Sequence, residues 1–236
     1  MSIKVENLVV KRDKFELGPI DFELENGYVY ALIGNNGAGK TTLINSILGT
    51  LDIESGEIYY DNFSFSKNQE EIKGEYAYVP DECFYTARVS RVAEAIDTLD
   101  ERFSKKKCYE LLDLFEIDID QKVKKLSKGN VKKLIFAIGL SFDCRVLVLD
   151  EPTANVDLKG KDIMMNLLRD YIQNENKIII FSTHIVGEVS KIADYILLLD
   201  KGKLILKEDV VTLENKYKNI ENNINSIEDI VLNLLK

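Results

Sequence analysis

The chain has 236 residues, 45% hydrophobic and 30% charged, with a formal net charge of −9 at pH 7. That length and apolar content are enough for a sizeable core and favour one elaborated α/β unit over two independent domains. The acidic balance argues against a nucleic-acid surface, which needs a concentrated basic face. Three scattered cysteines, Cys83, Cys108 and Cys144, lack disulfide or metal-ligand spacing and read as packing residues in a reducing cytoplasm. No apolar run approaches a membrane span, and the N-terminal MSIKVENLVVKRDK lacks the apolar core of a signal peptide. The expectation is a soluble chain, or one peripheral to a membrane through a partner.

In chain order, Ile3 to Val10 and Phe15 to Leu24 read as strands, with Gly18-Pro19 marking a bend or edge position in the second. Asn26-Gly27 turns the chain into the apolar run Tyr28 to Ile33. Next comes Gly34-Asn35-Asn36-Gly37-Ala38-Gly39-Lys40-Thr41, which fits G-x-x-x-x-G-K-[ST] and leads into Leu43 to Leu48. Glycines let the backbone curl so that its N–H groups and the N-terminus of the next helix face an anion. Lys40 then reaches the terminal phosphates of a nucleoside triphosphate and the Thr41 hydroxyl ligates Mg²⁺, with Thr42 following in the same turn. Glu57 to Tyr60 and Glu75 to Val79 are short strands.

From Val89 to about Lys125 the spacing turns helical, through Val92, Ala95, Ile96 and Leu99 and then Leu111, Leu112, Leu114 and Phe115. Lys122, Lys124, Lys125, Lys128, Lys132 and Lys133 form a basic cluster, either drawing in a triphosphate or simply facing solvent. A helix through Val131, Leu134, Ile135, Ile138 and Leu140 hands over to the strand Val146 to Leu149. A helix near Lys161 to Tyr171, a strand Ile178 to Phe181, a short helix from Ile185 and a strand Tyr195 to Leu199 follow. Strands separated by helices imply a mostly parallel sheet with right-handed crossovers. Asp200-Lys201-Gly202-Lys203 is a hairpin turn into a last β segment. The tail from Asn215 repeats Ile220, Ile224, Ile227, Ile230 and Leu234, as one or two small closing helices would.

The strand Val146 to Leu149 ends in Asp150-Glu151-Pro152. Neighbouring side chains on a strand diverge, so one carboxylate can face Mg²⁺ and the other a water beyond the terminal phosphate. Ligands of open α/β sheets lie outside the carboxyl ends of the strands, where this pair and the phosphate loop both belong.

On these residues the chain resembles the ATP-binding subunit of ABC (ATP-binding cassette) transporters, from its N-terminus to about Lys207. The family's signature, usually L-S-G-G-Q, is matched by Leu126-Ser127-Lys128-Gly129-Asn130. Ala154-Asn155-Val156-Asp157 is similar to the D-loop, and Ser182-Thr183-His184 to the switch-histidine segment; His184 is the chain's sole histidine. Three positions depart from the pattern. Asp81, in Tyr78-Val79-Pro80-Asp81-Glu82, stands where the family has a Gln and is a candidate ligand of Mg²⁺ or its water. Lys128 replaces a Gly, and Asn130 a Gln. For the adenine-stacking aromatic, Phe15 is nearest, while alignment on Lys11-Arg12 places Asp13 there; Phe15 reads equally well as core.

The resemblance implies a P-loop ABC ATPase fold, α/β, with a mostly parallel core sheet, an antiparallel β subdomain and a helical subdomain. Residues 1–88 and 126–207 would form the core with its β subdomain, 89–125 the helical insertion and 208–236 a helical tail. It implies ATP and Mg²⁺ held by the phosphate loop and Asp150, with Glu151 polarising the attacking water. His184 would contact the γ-phosphate, and Ser127 and Gly129 of a second cassette, identical or related, would close over it. The chain would drive a separate integral membrane permease from the inner face of the membrane, as an exporter of peptide, antibiotic or lipid. The alternative is a non-transport ABC ATPase of a soluble assembly complex.

Overall fold

In the computed structural model, which describes residues 2–12, 14–173, 176–218 and 226–235, the chain begins with a long antiparallel pair, β1 (Ser2–Arg12) and β2 (Phe15–Glu25). β3 (Val29–Ile33) runs through the glycine-rich loop into α1 (Lys40–Ile47). β4 (Ser55–Tyr60), β5 (Phe63–Ser64) and α2 (Gln69–Lys73) lead to β6 (Tyr76–Val79). A helical excursion follows, made of α3 (Val89–Leu99) and α4 (Lys105–Leu114). A 3-10 turn at Val123–Lys125 brings the chain back to α5 (Lys128–Leu140), then β7 (Val146–Leu149) and α6 (Leu158–Ile172). β8 (Ile178–Thr183), α7 (Val186–Ile192), β9 (Tyr195–Asp200) and β10 (Lys203–Asp209) precede α8 (Val210–Lys218) and α9 (Ile227–Leu234).

Two sheets result. The first is antiparallel, in the order β2-β1-β4-β5, with β2 at its edge, where Pro19 costs no ladder hydrogen bond. The second runs β10-β9-β3-β8-β7-β6; it is parallel from β9 to β6, and β10 closes it antiparallel. β9 and β10 are joined by a tight turn in which Lys201 and Gly202 have φ of 45° and 80°, the left-handed pair that a two-residue hairpin requires.

Period-two alternation places the second sheet between two cores. β3 sends Val29, Ala31 and Ile33 to one side and Tyr30 and Leu32 to the other. β7 divides in the same way, with Leu147 and Leu149 facing opposite to Val146 and Val148. The first side packs against α3, α4, α5 and α6, through residues such as Val92, Leu112, Phe136 and Met164. The second packs against α1 and the antiparallel sheet, through Leu43, Ile44, Ile3 and Leu17. A strand covered on both faces needs apolar residues throughout, which is why β3, β7 and β8 as far as Phe181 read as unbroken runs.

Several expectations change. On α3 the inward stripe is Val89, Val92 and Ala93 with Ile96 beside it, whereas Ala95 is exposed and Leu99 is 86% exposed, because the helix starts at Val89 and its core face is set from there. On α4, Leu111 and Leu112 are buried while Leu114 points outward. Lys132 and Lys133 do not belong to a solvated face; both are buried and ion-paired. β5 and α2 carry no strong periodicity and were not expected. Ile220 and Ile224 lie outside the described residues, whereas Ile227 and Ile230 are buried on α9. Cys108 and Cys144 are buried, and Cys83 is half-buried.

Candidate active site

The glycines of the loop have separate reasons. At Gly34 a Cβ would lie 2.5 Å from the carbonyl oxygen of Leu199 and 2.9 Å from the Ala38 side chain, so the loop leaves β3 pressed against the end of β9. Gly39, whose φ is 111°, caps α1 in a conformation that L side chains rarely adopt. The loop is propped by its own turn, with Ala38 N–H donating to Asn35 O at 3.0 Å, and by the β9–β10 hairpin, where Gly202 N–H donates to Ala38 O at 3.0 Å.

Lys40 starts α1 and folds back into this loop, only 7% exposed. Its ammonium donates to Gly34 O at 2.8 Å and Asn35 O at 3.5 Å, and lies 3.5 Å from Glu151 Oε1. Thr41 Oγ1 donates to Asp150 Oδ2 at 2.9 Å, which joins the loop to the end of β7. The other Asp150 oxygen, Oδ1, accepts from Ser182 Oγ at 2.5 Å, and the same Ser182 oxygen accepts the Glu151 N–H at 2.9 Å. Strand register explains this junction. β7 and β8 run in parallel with Leu149 opposite Phe181, so Asp150, just past the end of β7, comes level with Ser182, which is still on β8.

Glu151 has φ of 47°, a left-handed conformation unusual for a residue with a side chain. That turn aims its carboxylate across the loop, with Oε1 toward Lys40 and Oε2 at 2.8 Å from His184 Nδ1. Phe15, Asn35, Asn36, Gly37, Thr42 and Asp81 complete the walls of a cavity of about 260 Å³ around Lys40, Thr41, Asp150 and Glu151. Phe15 stands beside the cap, its ring 3.0 Å from where a Gly39 Cβ would be. The competing candidate, Asp13, lies outside the described residues.

A second cavity, of about 500 Å³, adjoins the first through Asn36, Asp81 and Glu151 and opens beneath Lys128, Asn155 and His184. Ser127 and Gly129 line neither cavity. Ser127 caps α5, its oxygen accepting from Asn130 N–H at 3.2 Å. Lys128 is the first residue of that helix, a position that accommodates a Cβ without strain, so its replacement of glycine is harmless to the backbone. Gly129 has no such latitude: a Cβ there would sit 2.7 Å from Asn155 O. Asn155 itself has φ of 62°, and Asp157 caps α6 while pairing with Lys133 at 2.5 Å, which holds its carboxyl below the usual carboxylate range.

Three residues near the centre make contacts that the sequence does not reveal, although Lys132 belongs to the basic cluster noted there. Ser182 binds both carboxylate residues; its signal was a hydroxyl ending an apolar strand, which has meaning only once that strand is known to neighbour β7. Lys132, on α5, donates to Asp81 Oδ1 at 2.5 Å and Glu151 O at 2.9 Å. Glu188, buried on α7, accepts from Thr153 Oγ1 at 2.5 Å and pairs with Lys161 at 2.9 Å, joining the turn after β7 to the segment after β8.

The donor set suits a small divalent cation beside a triphosphate. Thr41 and Asp150 offer hard oxygens, and Mg²⁺ is held by one or two carboxylates together with phosphate oxygens rather than by an all-protein cage. Asp81, Asp150 and Glu151 outnumber the cations Lys40 and Lys132 at the cavity, so an added dication would offset their repulsion of an incoming anion.

Comparison with known proteins gives a consistent answer. A family model described as ABC transporter matches residues 17–154. The chain is 31% identical over 249 residues to the energy-coupling factor transporter ATP-binding protein EcfA2 of Clostridium tetani, covering 94% of this chain and 83% of the relative. It is 28% identical to the molybdate import ATP-binding protein MolC of Haemophilus influenzae, covering 91% and 86%. It is also 31% identical to the bacitracin transport ATP-binding protein BcrA of Bacillus licheniformis, covering 79% and 62%. A solved ATP-binding subunit of an ABC transporter superposes over 100% of both chains with a TM-score of 0.85 at 21% identity, a likeness of fold.

Proposed function

The chain belongs to the ABC transporter family as one of its ATP-binding ATPase cassettes, and we propose that it is the motor subunit that drives a separate membrane permease. The observation that carries the reading is the placement of Glu151, whose carboxylate lies between Lys40 and His184 while its N–H is fixed by Ser182. A carboxylate so held, next to the loop that cradles phosphates, is placed to act as a general base toward a water.

Gly34 to Thr42 bind the phosphates, with Lys40 neutralising their charge. Thr41 and Asp150 would hold Mg²⁺, which when bound withdraws charge from the phosphate oxygens and orients them for in-line attack. His184, whose Nδ1 lies 2.8 Å from Glu151 Oε2, orients that carboxylate and would contact the γ-phosphate. Phe15 is the base-stacking residue. Ser127 and Gly129, absent from both cavities of their own chain, serve the site of a second cassette, identical or related, packed head to tail. There the N-terminus of α5 offers its free N–H groups to the γ-phosphate. Triphosphate then favours the closed pair, and its hydrolysis releases it.

Among the described residues no helix is long and apolar enough to cross a membrane. We propose that the chain works on the cytoplasmic face of a membrane through its permease, and that the cargo moves outward as a peptide, antibiotic or lipid. The Leu126-Ser127-Lys128-Gly129 form of the signature supports that direction, and the bacitracin transport relative supports an antibiotic cargo. The molybdate import relative favours a second reading, uptake by the same motor.

The test is to tag the Glu151→Gln variant in its native cell, trap it with ATP, solubilise the membranes gently and identify what co-purifies. A multi-span membrane protein supports the transporter reading, and reconstituting the pair in vesicles then gives the direction of movement. Only soluble partners would replace that reading with an assembly ATPase.

A further inference from the structure

We propose that Lys132 is a positioning residue for hydrolysis, fixing the peptide of Glu151, and that Asp81 is its counter-ion rather than a ligand of the metal. This rests on the reading of Glu151 as the hydrolytic base.

Lys132 is 5% exposed. A buried ammonium persists only where partners compensate it, and this one has two on different elements. Asp81 Oδ1, just beyond β6, lies 2.5 Å away, and Glu151 O, just beyond β7, lies 2.9 Å away. The neighbouring Lys133 turns to Asp157 instead, so Lys132 alone of the two reaches the catalytic turn.

Glu151 needs such support. Its φ of 47° is a conformation that surrounding contacts must hold. Ser182 takes its N–H at 2.9 Å and Lys132 its carbonyl, so the residue is fixed on both sides of its Cα. Without the ammonium that carbonyl keeps only the longer 3.3 Å hydrogen bond from Ala154 N–H, which lets the peptide relax toward the ordinary regions and swings the carboxylate away from Lys40 and His184. Meanwhile the ion pair engages one oxygen of Asp81 and offsets its charge, which weakens its pull on a cation. Because α5 also carries Ser127 at its N-terminus, the same ammonium ties the helix that would meet a second cassette's nucleotide to the chain's own base.

The experiment uses the protein purified in its native complex and measures ATP turnover, fluorescent-nucleotide affinity, thermal midpoint and Mg²⁺ dependence. Lys132→Met keeps the stem and removes the donor. It should lower kcat by roughly 10²-fold, the scale of a small misplacement of a reacting group, with KM and nucleotide affinity nearly unchanged. Lys132→Arg, which keeps a donor, should recover much of that loss. Asp81→Asn, which leaves an oxygen for Lys132, should reduce kcat less and leave the Mg²⁺ requirement unshifted. The proposal fails if Lys132→Met turns over as wild type does, or if Asp81→Asn raises the Mg²⁺ requirement about tenfold, as loss of a ligand would. Wild-type protein without any turnover overturns the hydrolytic reading and this one together.

Discussion

Replacing Ser182 by alanine removes one oxygen at the centre of the site. Its hydroxyl, fully buried, donates to Asp150 Oδ1 and accepts from Glu151 N–H. A hydrogen bond to a charged group contributes roughly 1.5–3 kcal/mol, and leaving a buried N–H without an acceptor costs about 1–3 kcal/mol more. With partial relaxation the expected loss is about 3 kcal/mol. For a chain of this length that lowers the thermal midpoint by roughly 6–12 °C. Urea titration followed by circular dichroism measures the loss directly, and steady-state ATP turnover should fall alongside it as Asp150 and Glu151 lose their shared anchor. Ser190→Ala is the control: that exposed hydroxyl makes a single 3.4 Å contact to Gly187 O, and its removal should change stability by less than about 0.5 kcal/mol. A Ser182→Ala variant that loses under about 1 kcal/mol and keeps full turnover would refute the reasoning.

Further outcomes follow from other parts of the site. Glu151→Gln should bind nucleotide normally while turnover falls roughly 10²- to 10⁴-fold, whereas Lys40→Ala should lose affinity itself; fluorescent-nucleotide titration beside single-turnover assays separates the two. Gly129→Ala drives a methyl to 2.7 Å from Asn155 O, so the turn after β7 must shift. We expect a loss of about 1–3 kcal/mol and a failure of ATP-dependent pairing on size-exclusion chromatography, and unimpaired pairing would contradict the packing argument. Thiol labelling at pH 8 should separate the cysteines, because thiolate is the reactive form. Burial pushes the Cys108 thiol up to about 11 and raises that of Cys144 as well, so both should label only on unfolding, with half-buried Cys83 first in the native state. Equal native labelling of all three in mass spectra would count against this burial pattern.

How much of this was legible in the sequence depends on the range of the interaction. The glycine-rich loop and the carboxylate pair are local patterns, set by backbone conformation and by the end of an apolar strand, and the structure brings them to the walls of one cavity. Of the expected α3 stripe Val92, Ala95, Ile96 and Leu99, only Val92 and Ile96 face the core, because periodicity gives the spacing but not the phase, which is fixed by the segments that α3 packs against. Ser182 and Lys132 were out of reach for another reason. Ser182 acts on residues 31 and 32 positions away along the chain, and Lys132 on residues 19 and 51 away, across strand neighbours and a helix contact that no single segment encodes. Asp81 stands out in the sequence as an acid where the family has a Gln, but its ion pair with Lys132, 51 positions away, is invisible from its own loop.

The central strand has a consequence for how the polypeptide is made. β3 carries the phosphate loop, yet its sheet neighbours are β8 and β9, with Val29 paired to Ile179 and Tyr30 to Tyr195. A ribosome delivers the loop early and both flanking strands very late. Until then β3 has two open edges, a template for wrong pairing that long-range sheets expose while they wait. Ser182 and His184 arrive with β8 or just after it, so nucleotide cannot rescue the growing polypeptide by mass action. A fragment ending at Gln173 should therefore hold no ATP although it contains every residue from Gly34 to Glu151. Nascent chains would depend on chaperones, not ligand, to keep the strand free until its neighbours emerge.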